Sequence, residues 1–94
     1  RRHMKVTRKK AIRDVKTLWL PVSDGRASGK YEAMALNPEL ATRYYKWGSC
    51  PLCAYAQGYC DDCPYYRQFR KTCGSKPTYF DSPKEFAANI MKLE

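Results

Sequence analysis

Apolar residues fall at helical spacing in the first part of the chain. Ala11, Ile12, Val15, Leu18 and Trp19 share one side, and Thr7 stands where a side-chain cap would open a helix. Pro21 is expected to end it. Ser23 to Lys30, with two glycines, two serines and no large apolar residue, reads as a mobile loop. Its GRASGK run lacks the full spacing of a phosphate loop and has no Ser or Thr after the lysine. Asn37-Pro38 predicts a second helix start, with Leu40, Tyr44 and Trp47 on one face until Gly48 stops it. Pro64 predicts a third helix to about Thr72, with Tyr65, Tyr66 and Phe69 inward. Ser82 and Glu85 have the spacing of a capping box around Pro83, and Phe86, Ile90, Met91 and Leu93 follow as a core face.

This pattern predicts a mainly α fold: a small single domain over residues 4–94, about four short helices around a cysteine metal-binding knuckle. The segment between Cys50 and Cys73 leaves room for a short hairpin. No internal repeat or low-complexity tract stands out. Arg1 to His3 before Met4 read as an expression-vector remnant, so the native chain is expected to have no histidine.

At 94 residues, such a chain buries too little apolar surface to depend on its core alone. Eight tyrosines carry an unusual share of the apolar material. No apolar run approaches the roughly 20 residues that span a bilayer, and no apolar stretch follows the basic N-terminus as in a signal peptide. A reducing cytoplasm without membrane attachment is therefore expected. There, an odd number of cysteines in C-x-x-C pairs argues for metal ligands over disulfides.

The cysteines run Cys50-x2-Cys53-x6-Cys60-x2-Cys63-x9-Cys73. A C-x-x-C turn is tight enough to place two sulfurs on one ion. Zinc takes four thiolates tetrahedrally at about 2.3 Å, and a site closed by four cysteines is structural. Cys50, Cys53, Cys60 and Cys63 form the simplest ligand set, with Cys73 able to replace one of them. Pro51 and Pro64 stiffen the knuckles, and Asp61 and Asp62 read as solvated knuckle residues, since thiolates outcompete carboxylates for zinc.

An iron–sulfur cluster is the alternative cofactor. Cys53, Cys60, Cys63 and Cys73 resemble the cluster loop of the endonuclease III family of DNA glycosylases in their first two gaps, although the last gap is longer and no glycosylase domain accompanies them. CPLCAYAQGYCDDCP, with Cys73 and Tyr79 beyond it, is similar to a pattern in short proteins encoded by bacteriophages and their hosts. That resemblance covers about a third of the chain. It implies a metal-binding unit and a phage origin, hence a host cytoplasm, and brings no activity with it.

The formal charge is +9 at pH 7. Without Arg1 and Arg2 and with a four-thiolate zinc site, about +5 remains. Lys5, Arg8, Lys9, Lys10, Arg13 and Lys16 stand against a single acidic neighbour, Asp14. Lys9, Lys10, Arg13 and Lys16 fall within about 120° of the first helix, opposite its apolar side. Arg67, Arg70 and Lys71 form a second basic face. These residues are the candidate contacts to DNA or RNA phosphates. Tyr44, Tyr45, Tyr55, Tyr59, Tyr65 and Tyr66 crowd the cysteines, where rings serve either as core or as platforms for unpaired bases. Trp19 and Trp47 read as core.

Two other readings fit the composition. One is an interaction module that binds and redirects an acidic host protein, because basic and aromatic residues suit that interface too. The other is an iron–sulfur redox or DNA-associated protein. An enzyme is not expected: no histidine accompanies a nucleophile, and no carboxylate pair is assignable.

Overall fold

The computed structural model describes residues 6–94, so the candidate contact Lys5 and the segment before it lie outside the described residues. The described residues form six α-helices: α1 (Arg8–Ser23), α2 (Lys30–Leu36), α3 (Pro38–Arg43), α4 (Pro51–Ala56), α5 (Pro64–Phe69) and α6 (Pro83–Met91). Two 3-10 turns, Tyr45–Trp47 and Cys60–Asp62, join them. The mainly α architecture is as expected, with two helices more than the apolar pattern predicts. Among the described residues there is no strand, so the short hairpin between the cysteines is replaced by α4 and the Cys60–Asp62 turn.

The long helix α1 is the centre of the molecule, packed against α2, α4 and α6. Its buried face is the predicted one: Ala11, Ile12, Val15, Leu18 and Trp19. Thr7 caps it, its hydroxyl accepting from the Lys10 N–H at 3.1 Å. Pro21 does not stop the helix, which runs on to Ser23. Proline already has a helical φ; the bond it cannot donate and the crowding of the carbonyl four residues before it are offset here by the burial of Pro21 and Val22. Ala11, Ala33 and Ala87 are fully buried, so α1 meets α2 and α6 over small side chains.

An aromatic cluster fills the other end. The Phe86 ring lies 4.9 Å from Trp19, edge-on, and 4.9 Å from Tyr65, which also meets Phe69. Tyr65 reaches α6 through its hydroxyl, which accepts from Asn89 at 3.2 Å. Each large side chain buried in this way contributes on the order of 1.5–3 kcal/mol.

The caps read from the sequence form differently. Neither Asn37 nor Ser82 uses its side chain; both have φ near −130° and ψ near 60°, outside the extended geometry a side-chain cap requires. α3 and α6 still start with proline at the first helical positions, as expected. α3 stops at Arg43, the Tyr45–Trp47 turn follows, and Gly48 ends it at φ +63°. α5 is shorter than predicted because Arg70 adopts a left-handed conformation, φ +58°, directly after Phe69.

Candidate metal centre

The chain enters the cysteine segment through a fixed turn. Gly48 and Ser49 are both left-handed, and buried Ser49 donates its hydroxyl to the Ala41 carbonyl at 2.9 Å. Cys50 then takes the position before α4, with Pro51 as first helical residue. Cys63 does the same for α5, with Pro64 after it. Both thiols therefore sit at helix N-termini, where unpaired backbone N–H groups face them: those of Leu52 and Cys53 at Cys50, those of Tyr65 and Tyr66 at Cys63.

The similarity continues past the helices. Cys50 and Cys63 stand thirteen positions apart, as do Cys60 and Cys73. Each unit is a Cys-Pro start, a six-residue helix and a left-handed stop, Gln57 at φ +53° and Arg70 at φ +58°. Three residues after each stop comes a cysteine inside a turn, closed by Asp62 N–H to Tyr59 O at 2.9 Å and by Ser75 N–H to Thr72 O at 3.0 Å. Residues 50–62 and 63–75 are thus a structural repeat that the sequence pattern did not reveal. Its only sequence signals are the two Cys-Pro pairs and the equal cysteine offsets, since the side chains between them differ.

Cys50, Cys53, Cys63 and Cys73 line one cavity of about 210 Å³ together with Trp47, Leu52 and Tyr79. Cys60 and Cys73 are both exposed, and Cys60 alone of the five is outside that lining, though close enough to act electrostatically on Cys63 and Cys73. Cys50 and Cys53 are neighbours. The adjacent Cys53 thiol lowers the Cys50 pKa against the opposing effect of burial, and the same proximity raises that of Cys53. Burial pushes the Cys63 and Cys73 thiols up. Among the described residues no three His, Cys, Asp or Glu side chains converge on one point tightly enough to hold an ion as they stand. The cavity gathers four sulfurs along one lining without converging them on a point.

Lys30 is the residue that sequence reasoning missed. Rather than belonging to a phosphate loop, it starts α2 and points into the cysteine cavity. Its ammonium donates to the Gly48 carbonyl at 2.8 Å, lies 5.0 Å from the Tyr79 ring centre, and favours the thiolate forms of Cys50 and Cys73. Asp61 and Asp62 are exposed, and Asp62 pairs outward with Arg67 at 3.8 Å, so neither belongs to the donor set. Four sulfurs and a nearby cation suit a soft metal held as an anionic thiolate complex.

The basic residues divide. On α1, Lys9 and Arg13 are exposed and Lys16 is half-buried. Arg8 donates to the Glu94 carbonyl, which ties the two ends of the described chain together. Lys10 faces Asp14 at 3.5 Å. Asp14 is no surface counter-charge: it is only 6% exposed, accepts from the Tyr44 hydroxyl, and has Arg43 at 3.7 Å. Its place three residues after Ala11 and four before Leu18, on the apolar stripe, was the available signal. Arg67 on α5 and Arg70 just after it are exposed, and Lys71 is half-buried. Trp47 is 36% exposed and so is not a core residue, because the turn that replaces the end of the predicted helix swings its ring to the surface.

The chain matches no family model, no curated protein and no solved structure.

Proposed function

We propose that this is a small, metal-stapled, nucleic-acid-binding domain of a reducing cytoplasm, a binding protein and not an enzyme. The observation that carries the reading is the gathering of Cys50, Cys53, Cys63 and Cys73 on one cavity, beside the Lys30 ammonium. These four residues would hold a zinc ion, which when bound supplies a tetrahedral crosslink and no reactive position. Cys60 is then the spare thiol. The need for such a link is physical: α2 to α5 are six or seven residues long, and helices of that length do not persist without tertiary support.

The binding half of the proposal rests on α1. Its one carboxylate is buried and already satisfied, while Lys9, Arg13 and Lys16 face outward with no acidic partner among the described residues. Such a stripe attracts phosphate and releases counterions when bound.

The test is a titration of labelled DNA and RNA oligonucleotides at increasing salt. A steep loss of affinity with salt, abolished by Lys9→Glu with Arg13→Glu in a protein that still unfolds at the wild-type temperature, supports the reading. A flat, millimolar response overturns it in favour of an acidic protein partner.

A further inference from the structure

We propose that the groove beside the Tyr45–Trp47 turn is a base-stacking site, and that the nucleic acid this domain takes is single-stranded. The inference rests on the nucleic-acid reading above and adds a surface that the basic stripe of α1 does not contain. The groove holds about 670 Å³, is lined by Arg43, Tyr45, Lys46, Trp47 and Gln57 among others, and has no carboxylate in its lining. Tyr45 is 77% exposed and Tyr59, which follows Gly58, is 69% exposed. A Cβ at Gly58 would lie 3.6 Å from the Trp47 ring, which places the loop carrying Tyr59 against that indole.

Large aromatic rings turned to water and flanked by cations suit a ligand with flat faces and negative charge, whereas the other strongly exposed rings, Tyr31 and Phe80, line a groove that includes the carboxylate of Glu32. Unpaired bases on a phosphate backbone are that ligand. A duplex hides its faces in the stack and offers these rings nothing.

The groove is also continuous with the basic helix. Lys10 of α1 and Arg43 at the end of α3 approach the same oxygen of Asp14, at 3.5 and 3.7 Å, two cations sharing one carboxylate. The basic side of α1 therefore borders the groove at Arg43, with Lys46 beyond it, and a strand whose phosphates follow α1 would reach Tyr45 and Trp47 with its bases. Trp47 lines the cysteine cavity on its other side. The ring that would stack on a base is thereby held by the loop that the metal organises.

The experiment uses fluorescein-labelled dT12 and the dT12·dA12 duplex with the full chain, read by anisotropy over a salt series. The expected result is tighter binding of dT12 than of the duplex by roughly tenfold or more, and a loss of about tenfold in dT12 affinity in Tyr45→Ala with an unchanged salt slope, since no charge is removed. dT12 should also quench tryptophan emission through Trp47, because Trp19 is buried. Equal binding of duplex and single strand, or a Tyr45→Ala protein that binds dT12 as the wild type does, overturns the stacking site while leaving the basic-helix reading intact. A wild-type protein that binds neither probe, yet binds poly-L-glutamate, overturns both.

Discussion

Asp14 shows how a single residue changes meaning between sequence and structure. As the only acidic residue in a basic segment it reads as a weak counter-charge on the surface. In the fold it is the polar anchor of the core, joined to Tyr44 and flanked by Lys10 and Arg43. Tyr44→Phe leaves that carboxylate without its hydroxyl donor in a buried setting and should cost about 1–3 kcal/mol, read as a lower midpoint in urea. Burial, followed by the hydrogen bond to Asp14, pushes the Tyr44 phenol up to about 12. A folded pKa above the unfolded value near 10 means that Tyr44 stabilises fully below pH 10 and loses that contribution as pH rises toward 12. The stability profile of Tyr44→Phe should therefore converge on that of the wild type over this alkaline range. Single-residue roles were legible where periodicity fixed them, as at Val15, Leu18 and Ile90. They were not legible at Lys30, whose role depends on a cavity built by residues on both sides of it in the chain, from Val15 to Ile90.

At the scale of elements, prolines marked helix starts well, while the predicted stops at Pro21 and Gly48 failed where tertiary packing decided. The starts of α3, α5 and α6 were legible from Pro38, Pro64 and Pro83. α2 and α4 were not, because KYEAMAL has little apolar pattern and PLCAYA was read as part of a metal loop. The repeat of 50–62 on 63–75 escaped for a related reason: its two copies share backbone conformation and cysteine offsets, not side chains. Its left-handed stops give a direct test. Gln57 and Arg70 bear a steric cost at positive φ that glycine avoids, so Gln57→Gly and Arg70→Gly should each leave stability unchanged or raise it by about 0.5–1 kcal/mol. The same substitutions inside the helices, at Ala54 or Gln68, should cost about 1 kcal/mol. Thermal melts of the four variants check both halves.

For the whole molecule, six short or medium helices around one aromatic cluster leave little apolar surface to hold 94 residues. A thiolate metal site contributes on the order of ten kcal/mol of folding free energy, larger than the net stability of most small domains. The cysteine spacing is what points to a metal in the sequence. It did not single out the four sulfurs, because Cys60 and Cys73 hold equivalent places in the repeat and only the packing of the last loop brings Cys73 to the cavity. Cys63→Ser and Cys73→Ser should therefore unfold the domain, whereas Cys60→Ser should keep its metal and its helical circular dichroism. The acid limb follows from the thiols. Cys53, Cys63 and Cys73 have raised pKa values and are protonated at neutral pH without metal, so binding an ion must release protons. Affinity should rise with pH and the metal should leave as pH falls, which a zinc titration in weak buffer with a pH-indicating dye will record.

The central claim is that a metal held by these cysteines staples the fold. It is tested most directly by measuring the metal content and absorption spectrum of protein purified without oxygen, with free thiols counted on the same sample. The account predicts about one zinc per chain, no visible absorption and a single readily reactive thiol, that of Cys60. Iron with inorganic sulfide would contradict the assignment of zinc, and a metal-free, folded protein with all five thiols reactive would contradict the claim itself.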